Sequence, residues 1–416
     1  VNALEYAERA WQGEVDHATM RPELLSPGLA EMGEGLAFVC AFSNVLAVDT
    51  DEGLALIDTS SPFHAGAVHA LVRRWSPRLA HTAVYTHGHV DHVFGVGPFE
   101  EESRAAGRTV TVVSHRAVLD RFARYRLTAG YNGHINRRQF RLPAPMFPEH
   151  FRDPDVTFDD RMTLRLGGRE VALFHDKGET DDHLWAWIPD ARAIYTGDLF
   201  IWASPNCGNP QKVQRFPREW AAALRKMDAL HPEVLFPGHG PPIVGAARVH
   251  QALTETASLL ESLVTQTLAV MNQGAPLDEV LRAVRVPKYL LARPYLRPVY
   301  DDPEFVVRNL WRLYGGWWDG NPARLKPPPR RRALRRALRG RGRRRGDGRA
   351  RAHRPAPRAL RARGDPRAAR VRRRPPRPHR ARGLPRGERR PRPRRDQPHG
   401  AVDLSRRREP RGVTRR

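Results

Sequence analysis

Short apolar runs separated by turn residues dominate the first two thirds of the chain. Leu36-Ala37-Phe38-Val39-Cys40 is one such run, and Ser43-Asn44-Val45-Leu46-Ala47-Val48 continues it as a first strand region. Asp49-Thr50-Asp51-Glu52-Gly53 supplies turn chemistry before Leu54-Ala55-Leu56-Ile57-Asp58 returns as a second strand. From His64 to Arg74 the apolar spacing becomes helical, through Ala67, Leu71 and Val72. Further strands are predicted over Thr82–Tyr85, Thr109–Val113, Arg169–His175, Leu184–Ile188, Ala193–Thr196 and Val234–Phe236, and a helix over His115–Arg126. Residues 127–155 are rich in Pro, Gly, Asn and Arg and predict a long loop. A loop of that length inside a compact domain is usually functional or mobile.

After Gly245 the character changes. Residues 246–273 keep a helical period over many turns (Leu253, Ala257, Leu260, Leu263, Leu268, Met271), followed by helices over 277–286 and 303–314. The predicted organisation is therefore a mixed α/β catalytic domain over residues 1–245, an all-helical module over 246–326, and a third segment over 327–416.

Composition separates that third segment from the rest. Residues 327–416 hold 36 of the 71 basic and 6 of the 45 acidic residues, a net +30, so the preceding part carries a net −4. The segment has no Lys, Ile, Phe, Tyr, Trp, Met or Cys, and such a composition predicts disorder. It is compatible with an arginine-rich nucleic-acid-binding arm. The absence of Lys favours a different hypothesis, because phosphate binding accepts both cations. Arg with Pro, Gly and Ala is what GC-rich codons yield in a shifted frame, so a frameshift near residue 327 is expected. An intact frame through Arg416 on resequencing would end that idea. The two cysteines, Cys40 and Cys207, show no framework spacing and predict free thiols in a reducing compartment. No apolar run reaches transmembrane length and the first residues do not form a signal peptide, so the expected location is cytoplasmic, without membrane association.

The chemistry concentrates in Thr86-His87-Gly88-His89-Val90-Asp91-His92, directly after the Thr82–Tyr85 strand. A strand that stops at three imidazoles and one carboxylate delivers four donors to one loop, a set that suits zinc and similar divalent ions. A lone histidine is more often a core or surface residue; this block is far more specific. Three other strand ends or turns offer donors: Glu179 in Gly178-Glu179-Thr180-Asp181-Asp182-His183, Asp198 after Gly197, and His239 in Pro237-Gly238-His239-Gly240.

The order and context of these four motifs resemble the metallo-β-lactamase superfamily over about residues 30–245. The resemblance implies an αββα sandwich of two mixed sheets between helices, with two metals at one edge. It implies that His87 and His89 bind the first metal, that Asp91, His92 and His239 bind the second, and that Asp198 bridges them. Most of the superfamily has a histidine where this chain has Glu179, and the glutamate resembles the alkyl sulfatase branch. Met271-Asn272-Gln273-Gly274 and Tyr314-Gly315-Gly316-Trp317-Trp318-Asp319-Gly320-Asn321-Pro322 resemble that branch's dimerisation domain. Arg395-Asp396-Gln397-Pro398-His399-Gly400 can be encoded by bases that, one frame over, spell a string resembling the C-terminus of relatives, which agrees with the frameshift. Two departures stand out: Asp198 where alkyl sulfatases carry a second glutamate, and Asn206–Lys212 where they carry an arginine-bearing sulfate-binding segment.

The implied activity is a dinuclear hydrolase with two divalent ions, zinc foremost, acting on a small-molecule sulfate ester as a homodimer. Two such ions can hold a bridging hydroxide, since coordination lowers the pKa of bound water to about 7. Asp91 is the expected proton shuttle, and His183 is the second catalytic candidate, either supporting a ligand or contacting substrate. Glu179 in place of a neutral imidazole adds one negative charge, predicting a weaker Lewis acid but a tighter cation site. The alternatives are a lactone or thioester hydrolase, an iron-dependent sulfur oxygenase, or a nucleic-acid-binding protein with a structural metal. Secondary candidates are His175, Asp181 and Asp182 as shapers of the Glu179 turn, and Tyr131, Asn132, His134 and Asn136 as pocket lining. Trp202 is a candidate pocket wall, and Lys212 and Arg215 are candidate contacts for an anionic substrate.

Overall fold

A computed structural model describes residues 3–15 and 27–327. From residue 328 onward, the expected disorder, nucleic-acid binding and frameshift lie outside the described residues.

Helix α1 (Ala3–Trp11) precedes a seven-stranded sheet whose strands pair in chain order: β1 (Gly28–Gly33), β2 (Leu36–Cys40), β3 (Val45–Thr50), β4 (Gly53–Ile57), β5 (Ala80–Tyr85), β6 (Thr111–His115) and β7 (Val156–Phe158). The first four strands form an antiparallel meander, and β4 through β7 are parallel. The parallel half needs crossovers, which are α2 (Ala65–Trp75), the short α3 (Val90–Val93) with α4 (Gly97–Ala105), and α5 (Ala117–Leu127) with α6 (Ala129–Phe140). The second sheet contains β8 (Arg161–Leu166), β9 (Arg169–His175), β10 (Leu184–Ile188), β11 (Ala193–Tyr195), β12 (Val234–Phe236) and β13 (Ile243–Val244). It is antiparallel except for β11 and β12, which are parallel and joined through α7 (Pro217–Asp228).

Period-two alternation places the layers. In β3 and β4, Val45, Ala47, Leu54 and Leu56 pack with Val68 and Val72 of α2 and with Phe122 of α5. Their neighbours Leu46, Val48, Ala55 and Ile57 point the other way and meet Leu173, Leu184, Ala186 and Tyr195 of the second sheet. The far face of the second sheet, through Trp185, Ile194 and Leu235, packs with Trp220 and Leu224 of α7 and with Leu253 and Leu260 of α8 (Ala246–Met271). Helix, sheet, sheet and helix therefore stack in that order, as the resemblance implies. Helices α9 (Leu277–Ala283), α10 (Lys288–Leu291) and α11 (Pro303–Gly315) complete the helical region.

Several local expectations change. Residues 36–48 form two strands, with the turn Ala41–Asn44 between them. Residues 127–155 are not all loop, because residues 129–140 are helical and bury Ala129, Gly133 and Ile135. Tertiary packing of those few apolar positions overrides a composition poor in helix formers. Strands β1, β7 and β8 and helices α1, α4 and α7 are additions. For α7 the signal was present: Pro217 occupies the first turn and Glu219 follows it.

Asp301, just before α11, ties the helical region to the loop at residues 206–208. Its carboxylate accepts from the Gly208 and Asp302 amides. Burial pushes this carboxyl up to about 6, despite those amides. A raised folded-state pKa contributes stability that is complete below about pH 4 and lost as pH rises through about 6. Asp301→Asn cannot ionise. The stability advantage of wild type over this variant is expected to shrink by on the order of 2 kcal/mol between about pH 4.5 and about pH 7.5, read from urea midpoints. An advantage independent of pH would refute it.

Candidate metal centre

Every donor motif in the sequence lands at one end of the two sheets. The His87–His92 loop leaves the C-terminal end of β5, and Glu179 lies in the β9–β10 turn. Asp198 follows β11 in a short 3-10 turn (Gly197–Leu199), and His239 follows β12. A backbone hydrogen bond from Leu184 N to Thr86 O (2.7 Å) joins the two sheets at this end.

The donors form two groups. His87, His89, Glu179 and Asp198 offer ligand atoms within 4.8 Å of one another, and so do Asp91, His92 and His239. In the first group His87 Nε2 lies 2.8 Å from His89 Nδ1, and Glu179 Oε2 lies 3.1 Å from His89 Nδ1 and 3.6 Å from His87 Nε2. In the second, Asp91 Oδ2 lies 3.5 Å from His239 Nε2 and 3.8 Å from His92 Nε2. Asp198 reaches both: Oδ2 is 3.8 Å from His87 Nε2, while Oδ1 is 3.2 Å from His92 Nε2 and 3.3 Å from His239 Nε2.

Donor chemistry tests whether this cluster fits a metal. His92 Nε2, Glu179 Oε2 and Asp198 Oδ1 are buried and have no hydrogen-bond partner among the described residues. Buried polar atoms without partners are costly, and a bound ion is a recognised reason for them. Three such atoms within one cluster of imidazoles and carboxylates fit divalent cations.

Supporting residues aim the ligands. Asp58, at the end of β4 in a left-handed backbone conformation (φ 55°), accepts from Thr86 N, Thr86 Oγ1 and His92 Nδ1, each at 2.8 Å. That bond leaves His92 Nε2 facing the cluster. The turn between β2 and β3 does the same for His239, whose Nδ1 donates to Phe42 O while Asn44 Nδ2 donates to Pro237 O and Gly240 O at 2.8 Å. Gly238 has no room for a side chain, since a Cβ there would lie 2.2 Å from Asp198 Oδ1.

Arg215 stands behind Glu179. Its guanidinium and Asn206 Nδ2 both donate to Glu179 Oε1, which leaves Oε2 for the imidazoles. Burial opposes ionisation of Glu179, but Arg215 and His89 outweigh it and hold the carboxyl well below its ordinary range. Arg215 is itself buried and paired with Glu179, so its positive charge sits beside the negative charge that Glu179 brings.

His183 is fully buried. Its ring stacks on His87 (4.6 Å, 17°), and Nε2 accepts from Asp198 N at 3.1 Å. Burial pushes its pKa down to about 4, so the ring is neutral and able to accept. His175 stacks on His115 at 3.6 Å and bonds Asp181 O, away from the donors. Trp202 is buried and donates to Pro241 O. Tyr131, Asn132, His134 and Asn136 lie on α6, where Asn132 bonds Thr128 and Asn136 bonds Met146 O. The end of α6 reaches the site through a different residue, Phe140, which meets Phe42 edge-on (6.4 Å); Phe42 in turn meets His239 (5.5 Å). Lys212 is half-buried, with no hydrogen bond or ion pair from its ammonium group among the described residues. Burial, then Arg215, lowers its pKa, against attraction from Glu179 and Asp91.

Two family models match the chain: the metallo-beta-lactamase superfamily over residues 39–239 and alkyl sulfatase dimerisation over residues 276–343. A linear primary-alkylsulfatase from a Pseudomonas species is 28% identical over 305 residues, covering 68% of this chain and 57% of that protein. An (R)-specific secondary-alkylsulfatase from Pseudomonas is 25% identical over 317 residues, covering 69% of this chain and 47% of that one. The chain thus spans about half the length of these curated relatives. Among solved structures, the stereoselective inverting sec-alkylsulfatase Pisa1 from Pseudomonas superposes with a TM-score of 0.68 at 23% identity, covering 80% of this chain and 58% of that one. At that identity the likeness shows the fold alone.

Proposed function

We propose that this chain, which carries a metallo-beta-lactamase superfamily domain followed by an alkyl sulfatase dimerisation domain, is a metal-dependent hydrolase of sulfate esters. The observation that carries this is the pair of donor groups sharing Asp198 at the common end of both sheets. His87, His89 and Glu179 would hold one divalent cation, Asp91, His92 and His239 the other, and Asp198 would serve both. Zinc suits this mixture of imidazole and carboxylate. When bound, such cations supply Lewis acidity and a water of lowered pKa.

The chain's own residues supply the rest. Asp91 is the most open carboxylate of the cluster and is placed to take a proton from the attacking water. His183 would act as a positioning residue, since its contacts are Asp198 N and the His87 ring. Lys212 would meet the anionic group of the ester, because its half-buried ammonium has electrostatic attraction to the centre but no fixed partner.

Sulfate esters are favoured by the alkylsulfatase relatives and by Glu179, backed by Arg215, in a position where most of the superfamily has histidine. A homodimer through the helical region belongs to the same proposal. It is supported by the dimerisation match and by exposed Tyr314, Trp317 and Trp318, and light scattering on the purified protein tests it. A cytoplasmic setting is supported by two free cysteines. Among the described residues no helix is long and apolar enough to cross a membrane.

Metal analysis combined with sulfate release from an alkyl sulfate tests the function. Two equivalents of cation and released sulfate are expected; hydrolysis of lactones or thioesters in place of sulfate esters would overturn the substrate class. Hydrogen bonds to charged groups contribute roughly 1.5–3 kcal/mol, so Lys212→Met is expected to lower kcat/KM by about 10- to 100-fold with metal content unchanged. Unaltered kcat/KM would remove Lys212 from the substrate site.

A further inference from the structure

We propose that Arg121 and Asp182 form a buried positioning pair that holds the His87–His89 backbone in register with Asp198, and so sets the affinity of the first cation position. The proposal rests on the metal assignment above but not on the identity of the ester.

Arg121 lies on α5, on the helical side of the first sheet, and Asp182 lies in the turn that enters β10 of the second sheet. Arg121 is 3% exposed and Asp182 is fully buried. Arg121 Nε donates to Asp182 Oδ1 at 2.6 Å, and its other arm donates to Asp181. The second oxygen, Asp182 Oδ2, accepts from Gly88 N at 2.8 Å, and Gly88 is the residue between the two first-group histidines. Both carboxylate oxygens are thus committed, one to the cation that orients the group and one to the metal loop.

Gly88 sits tightly on the same helix. A Cβ there would lie 2.8 Å from Arg121 Cδ and 3.0 Å from both Phe122 and Val118. The loop is therefore held from one side by the α5 surface and from the other by Asp182. The next residue extends the link, since His183 stacks on His87 and accepts from Asp198 N. One dipeptide, Asp182-His183, consequently touches the loop of one sheet and the shared ligand of the other. With Glu179 three residues earlier, the turn controls the spacing of all four first-group donors. The second group is aimed by different residues, Asp58 for His92 and Phe42 O for His239. The hydrogen bonds of the pair itself end on Gly88 N, between the two first-group histidines, so its direct effect falls on the first position.

Chelator competition with zinc, in full-length protein carrying Asp182→Asn, Arg121→Met or the milder Arg121→Lys, tests this. One of the two equivalents is expected to bind about 10- to 100-fold more weakly, the range for losing an outer partner of a ligand, while the other stays within a few-fold. The cobalt(II) absorption spectrum should change for the weakened position. Because Arg121 acts through Asp182, the Arg121→Met/Asp182→Asn double variant should lose no more affinity than Asp182→Asn alone. If Asp182→Asn fails to fold, the two Arg121 variants report the same affinity. Lower thermal stability with both affinities and the cobalt spectrum unchanged would reduce the pair to packing and overturn the proposal. Wild-type protein that takes up no cation would overturn the metal assignment itself.

Discussion

Asp198→Ala is expected to lose both cations on dialysis and to cut sulfate-ester turnover by more than about a hundredfold, beyond the usual effect of an outer-shell change. The reason is geometric. Asp198 is the donor that reaches both groups, with His87 on one side and His92 and His239 on the other. No other carboxylate in the cluster is in a position to replace it: Glu179 Oε1 is taken by Arg215 and Asn206, and Asp91 reaches only the second group. Elemental analysis and turnover on the same sample check this, with circular dichroism to confirm folding. Two retained equivalents with wild-type turnover would mean that the cluster does not work as a shared centre.

The second large effect concerns Glu179. Glu179→Gln is expected to destabilise the fold by about 3–5 kcal/mol, because it leaves the buried Arg215 guanidinium without a counter-charge. It should also weaken the first cation, since a neutral amide replaces a carboxylate donor. Adding Arg215→Met should restore most of the stability, as replacing a buried pair by apolar groups is often neutral, but should not restore the metal. Urea unfolding and metal content of the single and double variants separate these effects. A single variant as stable as wild type would show that the guanidinium does not depend on this counter-charge. Glu179→His is expected to fail for the same reason, because an imidazole leaves the guanidinium uncompensated.

The Glu179–Arg215 pair also adds a charge that the sequence reading of Glu179 did not include. Replacing an imidazole by glutamate adds a negative charge, and by itself that predicts a weaker Lewis acid. The buried guanidinium on Glu179 Oε1 offsets part of the added charge, so the size of the effect depends on the pair and not on the glutamate alone. Lys212 and Arg215 looked equivalent as cations three positions apart. Folding turns Arg215 inward against Glu179 and leaves Lys212 without a partner among the described residues. The long segment at residues 127–155 looked like a loop, yet 12 of its 29 residues form a helix whose last residue, Phe140, reaches the wall of the site.

Local chemistry alone determined the donors. His87, His89, Asp91 and His92 lie within six positions after a strand, and Glu179, Asp198 and His239 each occupy a turn or strand end that the apolar pattern makes visible. Short-range signals suffice there because period-two burial and turn residues are properties of a few consecutive positions. The partners through which other residues aim those donors carried no such local mark. Asp58 and Arg121 read as an ordinary strand end and a helix face, Asp182 as a shaper of the Glu179 turn, and Arg215 as a candidate contact for an anionic substrate. Arg121 and Asp182 are 61 positions apart, Asp58 and His92 are 34, and Glu179 and Arg215 are 36. Parallel pairing of β4 with β5 brings Asp58 to His92, the loops at one end of the second sheet bring Arg215 to Glu179, and the stacking of the two sheets brings Arg121 to Asp182. Their roles depend on burial, which takes each charge out of water and leaves it a few fixed partners, and burial is a property of the packed structure and not of any local stretch of chain.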